Sequence, residues 1–322
     1  MIPLPLVLLA LVSLPQGGPD TDTTVSVATG SRLRLHNQGG DIIIKAWDRN
    51  QVRIQAEHST RSYVDVDVRG QVVEISAKGR RGLASMVDYQ LTVPAWMPLD
   101  LGGMYAEISV EGIRASVKAQ TLEGNITLRG GAESVTLSTV NGRIDVAGTR
   151  GRVTLNAVSE DILVSDVQGD LTVESVSGDI DLRGIEAKSV DAQTISGEIL
   201  FEGRVADGGT YSFLTHSGDV TLGVAENTNA TIAVASGSGD VSSSFDIRAE
   251  RETRRRHTYR LGNGGANVDI ETFSGDVNLV RPNEIGTRRS DDNRQWRQRP
   301  QRKNQRPSDD HERDHQLEED ER

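Results

Sequence analysis

The sequence predicts an all-β fold: a single-stranded, right-handed parallel β-helix, or β-solenoid, with about 18–21 residues per coil. Three observations predict it. A short unit typified by Val176-Ser177-Gly178-Asp179-Ile180 recurs, and its anchor falls at Ala106, Gly124, Gly142, Glu160, Gly178, Gly197, Gly218, Gly239 and Gly275, in steps of 18, 18, 18, 18, 19, 21, 21 and 36. Apolar residues stand two and four places after each anchor (Ile144 and Val146, Ile162 and Val164, Ile180 and Leu182) and seven and five before it (Val135 and Leu137, Val153 and Leu155, Leu171 and Val173). Composition agrees, with 4% aromatic residues, 33 Gly and no Cys, which suits narrow coils better than a broad globular core.

Spacing by two is the alternation of a strand with one buried face, so each repeat supplies two short strands joined at the Ser-Gly-Asp corner. Gly112, Gly130, Gly148, Gly184 and Gly203 mark a second corner, where Gly accepts positive φ. Four inward side chains cannot enclose a core alone. At about 1.5–3 kcal/mol each, they offset the ordering entropy only when equivalent strands stack in parallel about 4.8 Å apart. Right-handed winding is expected because parallel crossovers almost always take that sense. The left-handed three-sided helix also has about 18 residues per coil, but its even hexapeptide period is missing.

Taken in order, the chain opens with an apolar run at residues 4–14, too short to span a bilayer and suited to a secretory signal over residues 1–22. Residues 23–98 read as a less regular N-terminal β cap, with Leu33, Leu35, Gly40, Ile42 and Ile44 repeating the coil grammar out of phase. Strands are predicted around Val52, Tyr63, Val72 and Tyr89, and the exposed ends of a solenoid need such cover. Residues 99–281 form the regular coils, two of them lengthened around 204–210 and 226–230. The long gap before Gly275 reads as a coil with a protruding excursion or as a degenerate one. Residues 282–322 are nearly devoid of apolar side chains, an Arg-rich block followed by an acidic one, and read as a disordered polyampholyte tail.

The opening Gly40-Asp41-Ile42-Ile43-Ile44-Lys45-Ala46-Trp47-Asp48, the entry Leu91-Thr92-Val93-Pro94 with Leu99 and Leu101, and the serial Val-Ser-Gly-Asp-Ile units resemble one bacterial group. These are the envelope proteins of domain of unknown function 4097, described as candidate adhesins. The resemblance covers about residues 24–279 and implies a β-helix, export and no catalytic residue to carry over.

The residue after the anchor forms an acidic column, Asp161, Asp179, Glu198, Asp219 and Asp240, with Asp276 later. Stacked carboxylates repel by about 1 kcal/mol per neighbouring pair in water, so they must be solvated or screened. They are candidate ligand-facing groups, for calcium or for acid/base chemistry on a glycan. Turn chemistry is the plainer account, and Trp47, Trp96 and Trp296 all lie outside the column, so the aromatic platforms of a glycosidase are missing. The serines before the anchor, Ser159, Ser177, Ser196, Ser217, Ser238 and Ser274, read as a hydroxyl ladder. Arg251, Arg254, Arg255 and Arg256 form a candidate anion-binding loop. His311-Glu312-Arg313-Asp314-His315 matches the zinc-protease spacing but lies in the charged tail without an apolar helix face.

A net charge of −11 argues against nucleic acid, and absence of Cys removes disulfides, thiolate catalysis and Cys-held zinc. The expectation is an exported protein, periplasmic, secreted or on the cell surface, with no transmembrane span in the mature chain and no cofactor. It is read as a non-enzymatic binding or scaffold surface for an envelope protein or surface glycan. A carbohydrate-active enzyme using the acidic column and a regulatory protein acting through the tail are the alternatives.

Overall fold

In a computed structural model, the residues described are 20–82, 86–252 and 256–285. Among them there is no α-helix; the strands join one 25-stranded sheet, followed by a single 3-10 turn at Pro282–Glu284. The predicted stacking holds in register. Strand Val117–Glu123 lies parallel to Ala132–Asn141, which lies parallel to Arg150–Asn156, with Val117 beside Val135 and Val135 beside Val153. Across the Ser-Gly-Asp corner, Ile126, Ile144, Ile162, Ile180, Ile199 and Val220 follow one another in the same way. Ile144, Ile162 and Ile180 are buried, as the alternation requires.

Six side chains, rather than four, point inward in a typical coil. The alternation continues to the third residue before the anchor, a buried polar row that includes Thr121, Thr139, Thr194, Thr215 and Thr272. Beyond the second corner another inward position holds Ile113, Thr149, Val167 and Ile185, all buried. A short third side, with parallel bridges from Arg150 to Gln168 and on to Glu186, carries it. The wider coils fill their extra space with aromatics: Phe201 lies 5.9 Å from Tyr211 and 5.2 Å from Phe213. The Tyr211 hydroxyl donates to Ala187 O at 2.6 Å and accepts Ala206 N–H at 2.8 Å, tying the 204–210 insertion to the coil.

At both ends the order in space departs from the order in sequence. Leu33 and Ile42 stack directly on Leu99 and Ile108. The coil that follows in sequence, Val72–Gly79 and Val87–Pro94, lies on the far side of Arg32–Gly39 and Ile42–Trp47. At the other end Val268 and Val277 stack on Tyr211 and Val220. The intervening coil, Ala230–Ser238 with Val241–Ser243, is displaced outward onto Ala266–Ser274 and Val277–Val280. The step of 36 therefore marks a chain that turns back to insert its last coil.

Antiparallel strands cover the ends. Gln51–His58 pairs with Val87–Pro94 and in turn carries Asp20–Ser26, while Ser62–Arg69 pairs with Val72–Gly79. The excursion in the long gap is a hairpin, Arg248–Glu252 and Arg256–Leu261, laid antiparallel on Ala230–Ser238. The packed region also runs a little past the last coil: Ile285 is buried and packs against Gly223.

Candidate binding face

The Ser-Gly-Asp corner is built by contact between coils. A Cβ added at Gly178 would lie 2.1 Å from Glu160 O, at Gly142 1.9 Å from Gly124 O, and at Gly218 2.0 Å from Gly197 O. Each anchor thus rests on the carbonyl of the coil beneath it. The requirement for Gly at this corner is space, joined at Gly124 by a φ of 131°; at the second corner Gly112, Gly130, Gly148 and Gly184 hold positive φ, whereas Gly203 does not and is constrained by space, an added Cβ lying 2.6 Å from Ile185 O.

The acidic column borders these glycines, and its order in space is Asp161, Asp179, Glu198, Asp219, Asp276, Asp240. It continues at the other end as Asp88, Asp41 and Glu107, interrupted by Asn125 and Arg143. Its carboxylates bond to the next rung's backbone. Asp161 Oδ1 accepts Asp179 N–H at 3.1 Å, Asp179 Oδ1 accepts Glu198 N–H at 2.9 Å, Asp219 Oδ1 accepts Asp276 N–H at 2.8 Å, and Asp276 Oδ1 accepts Asp240 N–H at 2.9 Å. Asp88 serves Asp41 in the same way, and Asn125 serves Arg143. A hydrogen bond to a charged acceptor contributes about 1.5–3 kcal/mol, more than the roughly 1 kcal/mol of repulsion between solvated neighbours. Arg143 also lies 3.5 Å from Asp161.

Burial pushes the Asp41 carboxyl up, helped by the charge of Asp88. The same holds for Glu107, pushed up by burial and by Asp41 and partly relieved by Asn125. Both side chains keep contact with solvent, so the burial that raises them is partial, and the neighbouring like charge adds to it. Among the described residues no group of three or more His, Asp or Glu side chains is placed to hold a metal ion.

The basic cluster is divided. Arg254 and Arg255 lie outside the described residues, as does the His311–His315 motif. Arg251 is exposed on the covering hairpin, while Arg256 meets Asp269 through two contacts of 3.0 and 2.9 Å. Near the N-terminal end an open depression is lined by His36, Gln38, Tyr63, Ala77 and Lys78. There Lys78 is ion-paired with Asp65, which raises its pKa and holds it protonated.

One outward row escaped the sequence reading. Two residues before successive anchors stand Met104, Leu122, Val140, Val158, Val176 and Ile195, then His216 and Phe273, whose rings stack 5.0 Å apart. The aliphatics and Phe273 are exposed, Ile195 by 53% and Phe273 by 63%. The signal was available in the recurring Val or Ile of the unit. It was masked because an aliphatic beside a corner reads as core.

A family model described as Toastrack DUF4097 matches residues 30–280. Among solved structures, a candidate adhesin from Parabacteroides distasonis is 12% identical, covering 82% of this chain and 98% of its own, with a TM-score of 0.42. A candidate adhesin from Parabacteroides merdae is 10% identical over 82% of this chain and 97% of its own, with a TM-score of 0.39. A candidate cell adhesion protein from Clostridium sporogenes is 11% identical over 82% and 99%, with a TM-score of 0.22. No curated protein matches the chain.

Proposed function

Because the chain belongs to the Toastrack family, domain of unknown function 4097, we propose that it is an exported, non-enzymatic β-solenoid. Its outer faces act as an adhesin-like binding or scaffold surface in the bacterial cell envelope, for an envelope protein or a surface glycan. The observation that carries this reading is the ordering of outer side chains into columns: a carboxylate column, a serine column and an aliphatic row run side by side along the stack. Such a surface offers one chemistry repeated about every 4.8 Å, suited to an extended or repetitive partner. Support for export comes from the apolar run at residues 4–14. The winding is taken as right-handed, the sense parallel crossovers adopt.

In this reading Asp161, Asp179, Glu198, Asp219 and Asp240 set the corner and present a negative edge. Arg251, Arg254, Arg255 and Arg256 remain the candidate anion-binding group. The test is co-sedimentation of the purified chain with intact cell-wall sacculi and with envelope polysaccharide, alongside an assay for new reducing ends. Binding without cleavage is expected. Release of reducing ends that Asp179→Asn combined with Glu198→Gln abolishes would replace this reading with a glycan-cleaving enzyme. For the regulatory alternative, a deletion testing the charged tail has to begin after Ile285, since Ile285 belongs to the packed region.

A further inference from the structure

We propose that the depression beside Tyr63 binds an acidic sugar unit, a uronic acid of a surface polysaccharide, with the sugar ring against the Tyr63 phenol ring and the carboxylate on Arg80 and Lys78. This deepens the reading of the chain as an envelope binding surface and rests on it. The depression forms where the covering strand Ser62–Arg69 meets the displaced coil: Tyr63 lies opposite Lys78, and Ser76 lies beside His36. Its outward groups include His36, Gln38, Tyr63 and Lys78, all exposed, and its volume is about 380 Å³, within the range of small-molecule sites. On the other side of His36 stands Gly102. A Cβ added there would lie 2.4 Å from His36 Nδ1, so the imidazole rests against bare backbone that any side chain would deny it.

Charge and shape select the ligand. The chain carries −11, yet the two segments that border the depression, 61–65 and 77–82, hold Arg61, Lys78, Arg80 and Arg81 against one carboxylate, Asp65, which pairs with Lys78. Further along the same strands Asp67 pairs with Arg69, and Glu74 lies level with Arg34. Past the corner, Asp41 and Asp88 belong to the acidic column. The positive ground is therefore local and lies at the Arg80 end. Arg80 N–H donates to Arg61 O at 2.7 Å, which fixes the turn, and the Arg80 guanidinium stands 5.8 Å from the Tyr63 ring centroid, at the outer limit of cation–π contact. The ring, 39% exposed, is left open to the apolar face of a sugar. Among the described residues Arg80 has no carboxylate partner, so its guanidinium can take one through two parallel hydrogen bonds. The Gln38 amide and the His36 imidazole suit hydroxyl groups. An acyl chain would find little apolar cover here beyond Ala77 and the one ring, and a bare phosphate would make no use of the ring.

Calorimetric titration of the full chain with trigalacturonic acid is expected to show one site with a Kd of about 0.1–1 mM, weakening as salt is added. Maltotriose, built of similar rings without the acid group, should bind at least about tenfold more weakly, and inorganic phosphate should compete poorly. Tyr63→Ala and Arg80→Gln should each weaken uronate binding by about tenfold, with unchanged far-ultraviolet spectra. Tyr63→Phe, which keeps the ring, and Lys118→Gln, which removes a charge from strand Val117–Glu123 outside the depression, should not. Equal binding of maltotriose, displacement by phosphate at matched concentration, or an affinity unmoved by both Tyr63→Ala and Arg80→Gln would overturn the proposal, as would no binding up to about 10 mM. A chain that sediments with sacculi or polysaccharide but ignores the uronate would remove this site and leave the envelope reading standing; a chain that binds none of them would remove both.

Discussion

At Gly178 a single methyl group would lie 2.1 Å from Glu160 O, and the stacked backbones on both sides leave it nowhere to move. Gly178→Ala is expected to cost about 2 kcal/mol or more, read as a lower midpoint in urea. The reverse case stands at Glu133, which holds φ at 63° in a column continued by Gly151 and Gly169. A side chain in the left-handed region carries a penalty that Gly avoids, so Glu133→Gly should raise stability by about 0.5–1 kcal/mol in the same measurement. The crowded carboxylates make a pH-dependent prediction. The folded pKa of Asp41 is raised, so its favourable contribution belongs to the protonated form: it is present in acid and is lost as pH rises through that pKa. Asp41→Asn should therefore raise the melting temperature at pH 7, with the advantage disappearing as the pH approaches about 4. Asn125 shows that an amide is accommodated in this column, since its Oδ1 accepts Arg143 N–H at 2.8 Å.

The two strands flanking the corner were legible because their buried residues alternate with polar ones, and the columns of Ile144, Ile162 and Ile180 reproduce that alternation in the core. The third inward position before the anchor was not legible, because Thr121, Thr139 and Thr194 are polar and read as surface. Their hydroxyls are buried yet satisfied: Thr139 donates to Gly124 O at 3.2 Å, Thr194 to Gly178 O at 3.2 Å and Thr215 to Gly197 O at 3.0 Å. Each bridges an inward side chain to the carbonyl of an anchor residue in a neighbouring coil. Thr194→Val keeps the shape and removes the donor, and should cost about 1 kcal/mol with an unchanged denaturant slope. The acidic column was visible as a pattern, but its role was not. Whether a carboxylate meets a ligand or a backbone amide depends on the height of the neighbouring rung, which sequence spacing does not encode.

On the scale of the whole molecule, a regular period predicts that coils stack in the order they are made. That rule holds from Leu99 to Gly223 and fails at both ends, where a later segment turns back and inserts beneath an earlier one. The physical reason is cover. Among the described residues, three of the four strands in the displaced coils receive an antiparallel strand on their outer edge, Val241–Ser243 being the exception, and the pairing edge of the regular stack is itself covered by the displaced coils. An unbroken, end-covered array of coils is what makes the outer columns continuous, and the proposed binding surface depends on it. Thr221 is level with Asn278 and one rung further from Ser242. The most direct test is disulfide trapping in this cysteine-free chain: Thr221→Cys with Asn278→Cys should link within one molecule, and Thr221→Cys with Ser242→Cys should not. Linkage of the second pair in place of the first would mean that the coils stack in sequence order, and would contradict the architecture described here.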